Sequence, residues 1–110
     1  MADVYLQVTT TTESQSHAQQ LARSVVQARL AACVQVLGPI ASTYWWEGEI
    51  EDATEWLCLM KTTAATYPAL EAFIQSAHTY EVPEITASPI TMGSAGYLSW
   101  ISGETGGSPG

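Results

Sequence analysis

From residue 56 to residue 60 this chain is apolar at every position: Trp56-Leu57-Cys58-Leu59-Met60. Side chains of a strand leave alternate faces, so a sheet with one wet face shows alternating apolar and polar residues. A run without a polar member demands cover on both faces. Trp45 and Trp46 make the same demand, because two adjacent side chains of one strand point to opposite sides. Any fold for this chain must therefore bury a central hairpin from above and below.

The elements around that hairpin follow from periodicity and turn chemistry. Val4-Tyr5-Leu6-Gln7-Val8 predicts a first strand over about Asp3 to Thr10. Thr12 with Gln15 three residues on reads as a capping box. Ala18, Leu21, Ala22, Val25 and Arg29 then recur at helical spacing, giving an amphipathic helix to about Ala32. Cys33 to Leu37 forms a strand that Gly38-Pro39 must interrupt, since proline has no ladder donor. Pairing resumes from Ile40 to Ile50, Glu51-Asp52-Ala53-Thr54 is expected as the turn, and Glu55 to Thr63 returns. A second helix is expected over Ala65 to Tyr80, with Pro68 in its first turn. Glu84 to Ile90 is a last short strand, and Tyr97, Leu98 and Ile101 mark a terminal helix ending near Gly103. The order β-α-β-β-α-β is the split βαβ pattern: an α+β, ferredoxin-like domain with an antiparallel sheet, a long central hairpin and a short C-terminal helix. Residues 1–103 are expected to form this single domain and 104–110 a flexible tail.

One face of such a sheet meets the chain's two long helices. For the other, two covers are available: the short terminal helix, or further copies of the chain. A contiguous patch of Trp and Leu marks a protein interface, and oligomerisation is the expectation.

Charge narrows the partners. Only Arg23, Arg29 and Lys61 are basic against eleven acids, for a net charge of −8. Neutralising nucleic-acid phosphates takes several Lys or Arg contacts, which this chain lacks, and anionic membranes are disfavoured for the same reason. Met1 to Gln7 has neither a basic n-region nor an apolar h-region. Cys33 and Cys58 each sit inside an apolar run with no Cys-x-x-Cys spacing, as free thiols do in a reducing compartment. A cytoplasmic location is expected.

Five short motifs occur in order: Leu30-Ala31-Ala32-Cys33-Val34, Tyr44-Trp45-Trp46-Glu47-Gly48, Lys61-Thr62, Tyr80-Glu81-Val82-Pro83-Glu84-Ile85 and Tyr97-Leu98-Ser99-Trp100-Ile101. Over about Val4 to Ile101 the chain resembles the CutA family of divalent-cation tolerance proteins. The resemblance implies a compact homotrimer whose long hairpins wrap around neighbours. It also implies an architectural relation to the trimeric PII signalling proteins, which bind small ligands in clefts between subunits. The implied role is tolerance of copper and other divalent metals in bacteria, and in animals the anchoring or processing of a membrane-associated enzyme; no reaction comes with it. Two positions depart from the family pattern. Glu49 stands where a basic residue is common, and Thr10 where some bacterial members carry a cysteine, a soft ligand suited to Cu(I).

The candidate metal ligands are His78, Glu81 and Glu84, an imidazole-plus-carboxylate set suited to Cu(II) or Zn(II). His78 and Glu81 share a helical face only if the second helix runs that far, and three donors leave neighbouring subunits to complete a site. The alternative is a surface histidine near a helix C-terminus. His17 is expected on the polar side of the first helix, in solvent. Glu47, Glu49, Glu51, Asp52 and Glu55 fit no EF-hand spacing and read as a solvated run that blunts an exposed hairpin tip. Trp45, Trp46, Trp56, Tyr80 and Trp100 are expected in the trimer interface or its cleft. No nucleophile elbow is present, and Gly93-Ser94-Ala95-Gly96 is too short to cradle a phosphate.

These observations predict a non-enzymatic homotrimer in the response to divalent metal ions, copper first, with no required cofactor and no nucleic-acid or membrane partner. The alternatives are a PII-like signalling trimer with a small ligand in the intersubunit cleft, and a trimeric scaffold for a partner protein.

Overall fold

The computed structural model of the protein describes residues 3–106, so the last four positions of the expected tail lie outside the described residues. The elements run β1 (Tyr5–Thr12), α1 (Gln15–Gln27), β2 (Cys33–Trp46), β3 (Glu49–Thr63), α2 (Tyr67–Ala77), β4 (Thr86–Ile90) and α3 (Ala95–Glu104). The four strands form one antiparallel sheet in the order β2-β3-β1-β4. This is the ferredoxin-like α+β arrangement expected from the element order.

Register sorts the side chains into two faces. Val8 sits opposite Met60 and Thr10 opposite Cys58. These four are fully buried, and Val8, Cys58 and Met60 pack with Ala18, Leu21 and Val25 of α1 and Leu70 and Ile74 of α2. The even-numbered residues of β1 and β3 thus build the main core. The odd-numbered ones face the other way, and there α3 covers one end of the sheet. Ile101 is fully buried, and the Ser102 hydroxyl lies 2.6 Å from the phenol of Tyr5. The terminal helix therefore supplies part of the second-face cover that the apolar hairpin demands.

Several boundaries differ from expectation, each for a local reason. α1 stops at Gln27, five residues short of Ala32. Arg29 adopts φ 63°, its amide reaches the Val26 carbonyl, and the Leu30 amide reaches the Val25 carbonyl at 2.9 Å. This is a Schellman motif with arginine at the left-handed position usually held by glycine. The N-cap of α1 is Ser14, whose Oγ accepts from the His17 amide at 3.1 Å; Thr12 stays in the strand. The hairpin turn is Glu47-Gly48 rather than Glu51–Thr54. Both residues have positive φ, 49° and 83°, as a two-residue turn joining right-twisted strands requires. α2 ends at Ala77, so His78 is extended and does not share a helical face with Glu81.

Candidate functional site

Beyond the reach of α3, the face turned away from α1 and α2 opens into a cleft of about 930 Å³. One wall is the hairpin arm formed by the far ends of β2 and β3; the other is the segment from Thr79 to Glu84. What faces the cleft is decided by an irregularity at Gly38-Pro39. Leu37 pairs with Leu57, but the next partners are Ile40 and Glu55, so β2 carries one extra residue. A one-residue bulge exchanges the two faces for everything downstream. Ile40, Ser42, Tyr44 and Trp46 thereby join Glu55 and Glu51 on the cleft side. The register sets the Trp45 side chain opposite, beside its cross-strand partner Ile50, although the residue still borders the cleft; the two are 72% and 62% exposed.

Glu55 is the buried floor of the cleft, at 7% exposure. This corrects its expected place in a solvated hairpin tip, since the shifted turn puts it mid-strand. Its Oε2 accepts a hydrogen bond from the Tyr80 phenol at 2.8 Å. Burial, and then the Glu55 carboxylate, push the Tyr80 phenol well above the ordinary tyrosine range, so it stays a donor.

Tyr80 is held in place by His78. The Tyr80 amide donates to His78 Nδ1 at 3.0 Å, which leaves Nε2 as the protonated nitrogen, 2.7 Å from the Thr11 carbonyl. The two rings lie 4.7 Å apart, and Thr79 Oγ1 donates to Glu13 at 3.0 Å. Together these bonds fasten the start of the 79–84 segment to the C-terminal end of β1. His17, expected in solvent, is half-buried instead and meets the His78 ring edge-on at 5.4 Å.

Of the three proposed metal ligands, Glu81 and Glu84 are exposed on the cleft wall, whereas His78 has both ring nitrogens engaged and lies behind it. Among the described residues no group of three or more His, Cys, Asp or Glu is arranged to hold a metal ion. One chain's residues thus do not fit a closed metal site. Trp46 and Tyr80 line the cleft; Trp56 instead packs on the main core and over Gly38. Trp100 is 43% exposed on α3, its ring 5.5 Å from that of Tyr97. Both cysteines are free thiols. No described helix is long and apolar enough to cross a membrane.

This chain is similar to several known proteins. It is 45% identical over 84 residues to "Protein CutA" of Mus musculus, covering 76% of this chain but 48% of the mouse protein. The chain thus spans about half the length of that relative. It is 41% identical over 96 residues to the divalent-cation tolerance protein CutA of Thermus thermophilus, covering 87% of this chain and 93% of that one. The crystal structure of CutA1 from Oryza sativa superposes with a TM-score of 0.92 at 35% identity, covering 96% of each chain. Locations differ among the relatives: one from Arabidopsis thaliana is named chloroplastic, and a structural neighbour from Archaeoglobus fulgidus is described as periplasmic. The sequence model for the CutA1 divalent ion tolerance protein matches residues 6–104. With nearly the whole folded region matched, this chain belongs to the CutA1 divalent ion tolerance family.

Proposed function

We propose that the protein is a non-enzymatic, cytoplasmic homotrimer that acts in tolerance of divalent metal ions, copper first, and that it binds the ion at the rim of the cleft. The observation that carries this reading is the cleft's charge: every charged residue lining it is a carboxylate. Relatives named for divalent-cation tolerance, rather than for a reaction, support it. Glu81 and Glu84 offer oxygen donors with no lysine or arginine in the lining to compete for them. Since one chain does not close a site, the remaining donors come from neighbouring copies, and the exposed Trp45–Ile50 pair is a surface those copies would cover. In this reading His78 positions the wall that carries Glu81, and Glu81 and Glu84 supply the ion's oxygen ligands from this chain.

The same lining weighs against an anionic ligand such as a nucleotide, which needs Arg or Lys partners. The test is calorimetric titration of Cu(II) into wild-type protein and into a Glu81→Gln/Glu84→Gln variant. Saturable binding at a fixed ratio per trimer, lost in the variant, is expected. Weak heats that never saturate and are equal in both proteins would mean that the acidic surface only attracts cations.

A further inference from the structure

The structure assigns His78, backed by His17, as an acid-opened clamp: proton uptake at His78 Nδ1 breaks its bond to Tyr80 and loosens the 79–84 segment from β1. Hydrogen bonds on both sides of one ring make the clamp. β4 pairs with β1 only as far as Thr9, and beyond it the Thr11 carbonyl accepts from His78 Nε2 at 2.7 Å. On the ring's other side the Tyr80 amide donates to Nδ1 at 3.0 Å. A backbone amide can only donate, so Nδ1 must offer a lone pair and the imidazole is neutral. A proton added to Nδ1 from solvent takes that lone pair and sets N–H against N–H. Neither the charged ring nor the other neutral tautomer keeps both bonds. His17 adds a second penalty. Its ring meets that of His78 edge-on at 5.4 Å, and its Nδ1 is buried without a hydrogen-bond partner among the described residues. A proton there would be a buried donor with no acceptor, and charges on both rings would repel at close range.

The groups around the pair do not hold a charged ring in the clamp. Glu13, before α1, accepts from Thr79, and Glu55 on β3 accepts from the Tyr80 phenol, which Tyr44 of β2 also faces. Glu81 and Glu84 follow in the segment itself, and β4 carries no titratable side chain. On α2, Tyr67 and Glu71 are bonded to each other in its first turns. Of the cations, Arg29 pairs with Glu104, Lys61 bonds Gln35, and Arg23 lines the groove between α1 and β2. Among the described residues no carboxylate forms an ion pair with either imidazole. An imidazolium freed from the clamp has carboxylates to turn to; held in it, Nδ1 faces a donor. Acid therefore favours the open form, and neutral pH the closed one. The clamp stands apart from the metal proposed at the rim and is tested without it.

The test is amide hydrogen exchange of the whole, metal-free chain at about pH 7.5 and about pH 5.5, either side of the histidine range, corrected for the intrinsic pH dependence of exchange. A free imidazole is half-protonated near pH ~6.5, so a clamp that closes only on the neutral ring opens about tenfold more often one unit below that. The Tyr80 amide is expected to lose about tenfold in protection at the lower pH while the amides of β1 and β3 keep theirs. His78→Asn supplies an Oδ1 that accepts the same amide in an Asx turn and does not titrate, and is expected to lose none. His17→Gln, at a half-buried position outside the core, is expected to show the loss by a smaller factor. Ring ¹⁵N shifts of the wild-type protein read the same step without a variant. His78 is expected as the Nε2–H tautomer at the higher pH and as imidazolium at the lower. Unchanged Tyr80 protection, an equal loss in His78→Asn, a loss shared by β1 and β3, or a His78 ring still in its neutral tautomer at the lower pH overturns the inference.

Discussion

Thr10 is fully buried and its hydroxyl has no hydrogen-bond partner among the described residues. An unsatisfied buried polar group costs roughly 1–3 kcal/mol. Thr10→Val keeps the shape and removes the hydroxyl, and is expected to raise unfolding stability by about 1 kcal/mol in a urea titration; a loss of stability would show that the hydroxyl is satisfied after all. Its cross-strand neighbour Cys58 is fully buried too, and burial pushes its thiol from 9.0 up to about 11. A pKa raised on folding contributes stability that is complete below the unfolded value and is lost as pH rises through the folded one. The urea midpoint is therefore expected to fall between about pH 9 and 11, less steeply in Cys58→Ala, while a thiol reagent at pH 8 labels half-buried Cys33 before Cys58. The Tyr80 phenol, also raised, acts in the same direction at higher pH. At this scale the sequence shows residue types but not their occupancy. His78 and Glu55 were visible as an imidazole and a carboxylate. That one spends both nitrogens on backbone groups and the other lies under a tyrosine depends on contacts 67 and 25 residues apart.

Two glycines set the shape of the hairpin. Trp56 lies directly over Gly38, where an added Cβ would come within 2.7 Å of the indole Cγ. Gly38→Ala must displace that ring and is expected to cost roughly 1–3 kcal/mol, measured as a lowered urea midpoint; an unchanged midpoint would mean the indole moves aside freely. In the turn, Glu47 occupies a left-handed conformation that asparagine tolerates better. Glu47→Asn is expected to stabilise the protein by roughly 0.5–1 kcal/mol. An interruption at Gly38-Pro39 was legible because proline has no ladder donor; that it is a one-residue bulge in a continuous edge strand was not. The turn was not, because Glu-Gly is a weak signal and the polar run that follows looks like a loop. Those residues are strand: Thr43 and Asp52 pair across the arm, joined by a 2.7 Å hydrogen bond. None of the arm's residues belongs to the core under α1 and α2, so the polar run in it is tolerated and its apolar residues stay exposed in the single chain. α1 likewise ends early because Arg29 takes the glycine-like position, a role its side chain does not announce.

For the molecule as a whole, periodicity and turn chemistry give the element order, and the demand for cover on both faces of the hairpin gives the layering around it. It leaves open how the second face is shared. α3 takes one end, the cleft occupies the other, and Trp45 and Ile50 stand exposed on the arm's opposite side. An exposed apolar pair of this size supports the proposed trimer, and light scattering is expected to give three times the chain mass of 11.8 kDa. Trp45→Glu with Ile50→Lys is expected to shift the mass toward that of one chain, and an unmoved mass would place the interface elsewhere. The acidic, aromatic-walled cleft is the place proposed for this protein to meet its cation. A titration of the ¹⁵N-labelled protein with diamagnetic Zn(II), followed amide by amide, tests it most directly. Saturating shifts concentrated in residues 51–55 and 79–84 are expected; shifts that grow without saturating at every acidic side chain, or that centre on Cys33 and Cys58, would rule the cleft out.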